Sequence, residues 1–146
     1  EIASCLVGSE MSIETGILLD EESWFSVTPE ALAYRTAVEC KCEVAMDGFC
    51  GAGGNIIQFA MTCDHVLGID IDPVKLERPG EMDEQSRLHV SQIYGVEHKI
   101  TLLWGDFCEF ARDVEKVKQA RLCGEEPEDT GKWGGWDRKK IDVYVY

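Results

Sequence analysis

Positive charge is what this sequence has least of. Its 14 lysines and arginines stand against 28 aspartates and glutamates, a formal net charge of −14. A protein that tracks a long nucleic-acid backbone presents a basic face, so this balance argues against extensive phosphate tracking. It leaves room for a nucleotide or a single RNA end held in a pocket. Long apolar runs are also missing. None approaches the roughly 20 residues of a membrane-spanning helix, and no signal-peptide pattern opens the chain, so no membrane partner is expected. Cysteine is plentiful but lacks a ligand pattern: Cys5, Cys40, Cys42, Cys50, Cys63, Cys108 and Cys123 include no Cys-x-x-Cys, and Cys40-Lys41-Cys42 has no companion histidine. No metal is expected, and reduced thiols in a nuclear or cytoplasmic setting are. No internal repeat occurs. No Gly-Lys-Ser/Thr follows a glycine-rich run, which excludes a phosphate-binding P-loop.

What is present is an alternation of strand and helix in one domain of 146 residues. Residues 1–15 show no firm period and read as a tail, and 16–43 as a segment and helix packing on the core that follows. Thr28 is a candidate N-cap, with Pro29 at the first helical position and a helix to about Val38. Apolar 44–46, closed by Asp47, reads as the first strand, and a helix follows over 55–62. The second strand, 65–69, ends at Asp70. Asp72-Pro73 starts a helix that Arg78-Pro79-Gly80 stops, and helical text resumes over 84–94. A third strand over 100–104 precedes a helix over 109–122. Residues 123–140 read as a loop, and Ile141 to Tyr146 as a fourth strand. This order predicts an α/β fold with a parallel, Rossmann-like sheet flanked by helices, its ligand at the carboxyl ends of the strands.

The chemistry concentrates in Asp47-Gly48-Phe49-Cys50-Gly51-Ala52-Gly53-Gly54-Asn55, answered by Gly68-Ile69-Asp70-Ile71-Asp72. Glycines after a strand let backbone approach a ligand and adopt positive φ, and an acid ending the next strand offers two acceptors to a ribose diol. An acid preceding the turn suits a cationic ligand better than a pyrophosphate. A sulfonium cofactor with an amino-acid tail meets that description. Asp47, Asp70 and Asp106 each follow a predicted strand and should converge on one crevice, with Asp106-Phe107 where an adenine would lie.

These strings, with Trp24-Phe25-Ser26-Val27-Thr28-Pro29-Glu30 ahead of them and Gly105-Asp106-Phe107 after them, resemble the trimethylguanosine synthase family, RNA-cap guanine-N2 methyltransferases of class I. The resemblance runs from about Gly16 to Phe107 and resumes at the last strand. It implies a class I methyltransferase domain over 44–146 and S-adenosylmethionine as cofactor. Asp47 would face the methionine end, Asp70 the ribose and Asp106 the adenine edge. Thr28, Phe49, Cys50, Gly51, Gly53, Asn55, Ile71 and Phe107 would complete the cofactor site, and Trp24 and Phe25 would serve the substrate. The acceptor it implies is the exocyclic amine of a 7-methylguanosine cap, on small RNAs of the snRNA or snoRNA class, in the nucleus or cytoplasm.

Two departures bear on this. The family places Ser-Pro-Pro-Trp-Gly-Gly directly after the fourth strand, a position that falls after Tyr146, and these 146 residues do not contain it. The sheet is therefore expected to be truncated after that strand, and this chain is expected to hold cofactor without turnover; its catalytic residues are unknown from this sequence. Trp133-Gly134-Gly135 lacks the preceding Ser-Pro-Pro, comes before the strand and reads as a decoy. The stretches 78–84 and 123–140 read as insertions. Two other functions fit the same residues: a methyltransferase of this fold acting on another substrate, and a degenerate paralogue without catalysis.

Overall fold

A computed structural model of the chain describes residues 21–73, 94–128 and 130–145. The tail 1–15, the helix after Pro73, the Arg78–Met82 interruption and all but the end of the 84–94 helix lie outside these residues. In chain order the elements are α1 (Glu21–Ser26), α2 (Glu30–Glu39), β1 (Val44–Asp47), α3 (Gly54–Thr62) and β2 (His65–Asp70). There follow a 3-10 turn (Glu97–Lys99), β3 (Ile100–Trp104), α4 (Phe107–Leu122), a second 3-10 turn (Trp136–Arg138) and β4 (Val143–Val145).

The strands form one sheet in the order β3-β2-β1-β4, every neighbouring pair parallel. Parallel strands need a crossover between them; α3 lies between β1 and β2, and α4 between β3 and β4. Alternation along each strand divides the core. Ala45 and Val66 point to the face covered by α2 and α3, joining Ile56, Phe59 and Ala60. Met46, Leu67 and Ile69 point to the other face and meet Phe110 and Val114 of α4. Lys99 reaches across to the carboxyl end of α3, its Nζ donating to the Ala60 and Cys63 carbonyls at 3.1 and 3.0 Å. Those are helix-end carbonyls that no turn of α3 would satisfy.

Several local expectations are corrected. Residues 21–26 form a helix where none was expected. Pro29, not Thr28, is the N-cap of α2; its carbonyl accepts from Leu32 and Ala33 N–H, and no side chain caps the helix. α4 begins at Phe107 rather than residue 109, because the Asp106 carboxylate accepts from Cys108 N–H at 2.7 Å. β4 is shorter than the strand expected from Ile141 to Tyr146. It starts at Val143, because Asp142 turns to the edge of β1 instead: its N–H donates to Val44 O at 2.9 Å and its carboxylate accepts from Val44 N–H at 3.1 Å. Tyr146, the residue after which the family motif is expected, lies outside the described residues.

The stretch 123–140 is largely loop, as expected, but it carries a 3-10 turn and one core residue that the sequence did not announce: Trp133 is 1% exposed. Its ring meets Phe110 edge-on at 5.2 Å between centroids, and its Nε1 donates to Asp113 Oδ2 at 3.0 Å. The Lys116 ammonium and then this indole N–H hold the Asp113 carboxyl below its usual range. Trp136 stacks on His65 at 4.9 Å between centroids, and the Lys139 ammonium lies 3.9 Å from the centre of its ring. Gly105 makes room for Trp133, since a Cβ there would lie 2.7 Å from the indole Cη2. Gly105→Ala is therefore expected to destabilise the chain by about 1–3 kcal/mol, the usual cost of overpacking a filled core. A lower urea midpoint with unchanged slope would show it; an unchanged midpoint would mean that Trp133 gives way.

Candidate active site

Parallel pairing puts the ends of β1, β2 and β3 on one edge of the sheet, and with them Asp47, Asp70 and the Asp106 cap of α4. Asp70 lies opposite Trp104 in the register. The backbone locks this edge together: Cys50 N–H donates to Ile69 O and Gly105 N–H to Asp70 O, each at 3.0 Å.

Asp47 is 3% exposed. Its Oδ1 accepts from Phe49 N–H at 3.1 Å, while its Oδ2 is buried without a hydrogen-bond partner. Burial pushes its pKa up to about 6. Phe49 N–H opposes that rise, the Asp70 charge adds to it, and the Asn55 amide also favours the charged form without closing a hydrogen bond to Oδ2. A buried acceptor left without a donor is costly. A cationic ligand group would relieve it.

Asp70 does two things at once. Its Oδ2 accepts from Gly51 N–H at 2.8 Å and its Oδ1 from Asp72 N–H at 2.9 Å. Each oxygen keeps a second acceptor site, so the carboxylate shapes the glycine turn and still has capacity for a diol. Within the turn Gly53 N–H donates to Cys50 O at 2.8 Å, and Gly51 and Gly53 have φ of 49° and 91°. Side chains rarely adopt those angles. A Cβ on Gly51 would meet nothing within 4 Å, so the space over the turn is open.

Apolar surface flanks the acids. Phe49 is 60% exposed and meets Phe107 edge-on at 5.5 Å, and the Phe107 ring also lies against Gly48. Ile71 is 65% exposed. Thr28 backbone borders Gly54 at the start of α3, which brings the segment before the core up to the turn. Cys50 contributes backbone only: its thiol is buried beside Gly68, and burial, with the Asp47 and Asp70 charges, raises it far above its usual range. Phe25 stands exposed on α1, and Trp24 belongs to the same helix. Trp104 is the contributor that sequence reading missed. Its Nε1 donates to Ile71 O at 3.1 Å, pinning the loop after Asp70. An aromatic ending a strand was the available signal.

The residues present fit an adenosine-like ligand with a cationic tail: a buried acceptor lacking a donor, an open turn, a two-oxygen acceptor and an apolar wall. Among the described residues no group of three or more potential metal ligands occurs, and no helix is long and apolar enough to cross a membrane.

This chain is similar to proteins already known. The trimethylguanosine synthase of Schizosaccharomyces pombe is 35% identical over 74% of this chain and 44% of that protein. That of Saccharomyces cerevisiae is 33% identical over 88% of this chain and 39% of that protein. The chain thus spans less than half the length of these relatives. A crystal structure of a methyltransferase from Geobacter sulfurreducens overlaps 79% of this chain and 51% of its own, at 17% identity and a TM-score of 0.43. A family model described as RNA cap guanine-N2 methyltransferase matches residues 42–144, from the entrance to β1 through most of β4. This chain belongs to the RNA cap guanine-N2 methyltransferase family.

Proposed function

We propose that this chain binds S-adenosylmethionine at the carboxyl edge of its sheet and serves methylation of the exocyclic guanine amine of a 7-methylguanosine RNA cap. The observation that carries the cofactor half is the buried Asp47 carboxylate, whose Oδ2 lacks a donor beside a glycine turn held by Asp70. Asp47 would take the ammonium of the amino-acid tail, with Asn55 steadying the carboxylate. Asp70 would accept from the ribose hydroxyls. Ile71 and Phe107 would bracket the adenine, with the Asp106 carboxylate at its edge. The backbone of 49–53 and Thr28 would line the remainder. The bound cofactor supplies an electrophilic sulfonium methyl, and the protein's contribution is orientation, because transfer needs an in-line approach of the amine.

Support for the acceptor is the family itself. The exposed Phe25 ring on α1 and its neighbour Trp24 are aromatic groups of the type that holds a cationic 7-methylguanine by stacking and cation–π attraction. Capped small nuclear or nucleolar RNA, in the nucleus or the cytoplasm, is the substrate setting this reading assigns.

Calorimetric titration with S-adenosylhomocysteine tests the cofactor half. Saturable binding that Asp47→Asn and Asp70→Ala both weaken is expected; a folded chain that does not bind overturns it. Competition at the acceptor site tests the rest: a 7-methylguanosine dinucleotide should bind at least tenfold tighter than its unmethylated counterpart. Equal binding of the two would place this chain's acceptor elsewhere.

A further inference from the structure

At the opposite, amino end of the sheet two thiols meet. Cys42 and Cys63 place their Sγ atoms 3.8 Å apart. The strand register brings them there. Val44 pairs with His65, so two residues earlier on each side Cys42 stands beside Cys63. The Glu43 carbonyl, between them, accepts from Asp64 and His65 N–H at 3.2 and 2.9 Å. Neighbouring strands run about 4.8 Å apart, inside the roughly 4.4–6.8 Å span of Cα positions that a disulfide bridges. Cys63 is buried in the core against α2 and α3, whereas Cys42 is only half-buried and offers the entry.

We propose that Cys42 and Cys63 form a dithiol modification site, which a two-electron oxidant of the peroxide or disulfide class converts to a disulfide. With hydrogen peroxide, the Cys42 sulfur attacks one oxygen, the O–O bond breaks, and a sulfenic acid and one water result. The Cys63 sulfur then displaces the hydroxyl from Cys42, forming the S–S bond and releasing a second water. The two sulfurs give up two electrons, and the peroxide takes them.

The segment this bond closes, 42–63, contains β1, the glycine turn and α3. Oxidation would tie together the two ends of the piece that carries Asp47, Gly51, Gly53 and Asn55, at the end of the sheet away from them. Burial, followed by the Cys63 contact, pushes the Cys42 thiol up to about 12. Thiolate is therefore scarce at neutral pH, and conversion is slow compared with the exposed Cys108 and Cys123.

The test oxidises the chain carrying Cys108→Ser and Cys123→Ser with hydrogen peroxide or glutathione disulfide. Free thiols are then alkylated, and the protein is digested without reduction for mass spectrometry. The expected product is a peptide pair joining Cys42 to Cys63, lighter by two hydrogens and reversed by dithiothreitol. A melting temperature higher by about 5–10 °C should accompany it, since closing a loop of this length restricts the unfolded chain. Cys42→Ala, at a half-buried position, should abolish both, as should Cys63→Ala. The proposal is overturned if Cys42 and Cys63 are both still alkylated, in the unfolded protein, after oxidation has been continued until no further thiol is lost. A link to Cys40 instead, or the expected link with no rise in melting temperature, overturns it too.

Discussion

Replacing Asp70 with alanine is expected to weaken S-adenosylhomocysteine binding by roughly 10- to 100-fold, the effect of losing hydrogen bonds to a charged acceptor worth about 1–3 kcal/mol. Two losses combine in this figure. The direct one is the pair of oxygens offered to the ribose. The indirect one is shape: without the carboxylate, Gly51 N–H and Asp72 N–H lose the acceptors they reach at 2.8 and 2.9 Å. The turn and the loop after β2 then lose their common anchor. Asp70→Asn separates the two losses, because its amide keeps one acceptor and can hold only one of the two N–H groups. It should fall between parent and alanine. Calorimetry on chains with matched circular dichroism reads the result, and an Asp70→Ala chain that binds like the parent would remove Asp70 from the site.

Asp70 also shows what the sequence discloses and what it hides. β1 and β2 are legible because each is a short apolar run ended by an acid, as buried parallel strands read; β3, at the edge and only partly buried, is legible from its apolar Ile100, Leu102 and Leu103. Once they are placed, chain order alone brings Asp47, Asp70 and Asp106 to one edge. The glycine turn is legible for a similar reason, since 51–54 can hardly continue a strand. Trp133 was opaque because its partners are remote. Its place depends on the missing side chain of Gly105, the edge of Phe110 and the carboxylate of Asp113. None of these leaves a period in the text around Gly134 and Gly135, whose composition says loop. α1 was hidden by its six-residue length, too short for a helical period to register. The Cys42–Cys63 contact required a register, which pairs residues 21 apart and cannot be read from either neighbourhood. The Asp47 environment was half legible: position placed it beside the turn, but its burial follows from the packing of α3 and β2 around it.

That burial makes Asp47→Asn the change with opposite effects on folding and on binding. An acid whose pKa rises from an ordinary 3.8 to about 6 on folding contributes stability that is fully present below about 3.8 and is lost as pH rises through 6. At pH 7.5 the ionised carboxylate is held in the core with Oδ2 unpartnered, a cost on the order of 3 kcal/mol for a shift of this size. Asparagine removes the charge and keeps an oxygen for Phe49 N–H. It is expected to stabilise the chain by about 1–3 kcal/mol at pH 7.5, to do little at pH 4, and to flatten the stability profile between. Urea unfolding at several pH values reads this directly. The same substitution deletes the anion that a cationic tail would meet, so cofactor affinity should fall at least tenfold. In the parent, affinity should be full above pH 7 and decline below 6 as Asp47 takes up a proton, and the variant should lose that dependence. A less stable Asp47→Asn chain with unaltered binding would mean that the carboxylate serves the fold alone. A more stable chain that binds poorly would mean that the fold tolerates a buried, unpartnered charge because the ligand completes it.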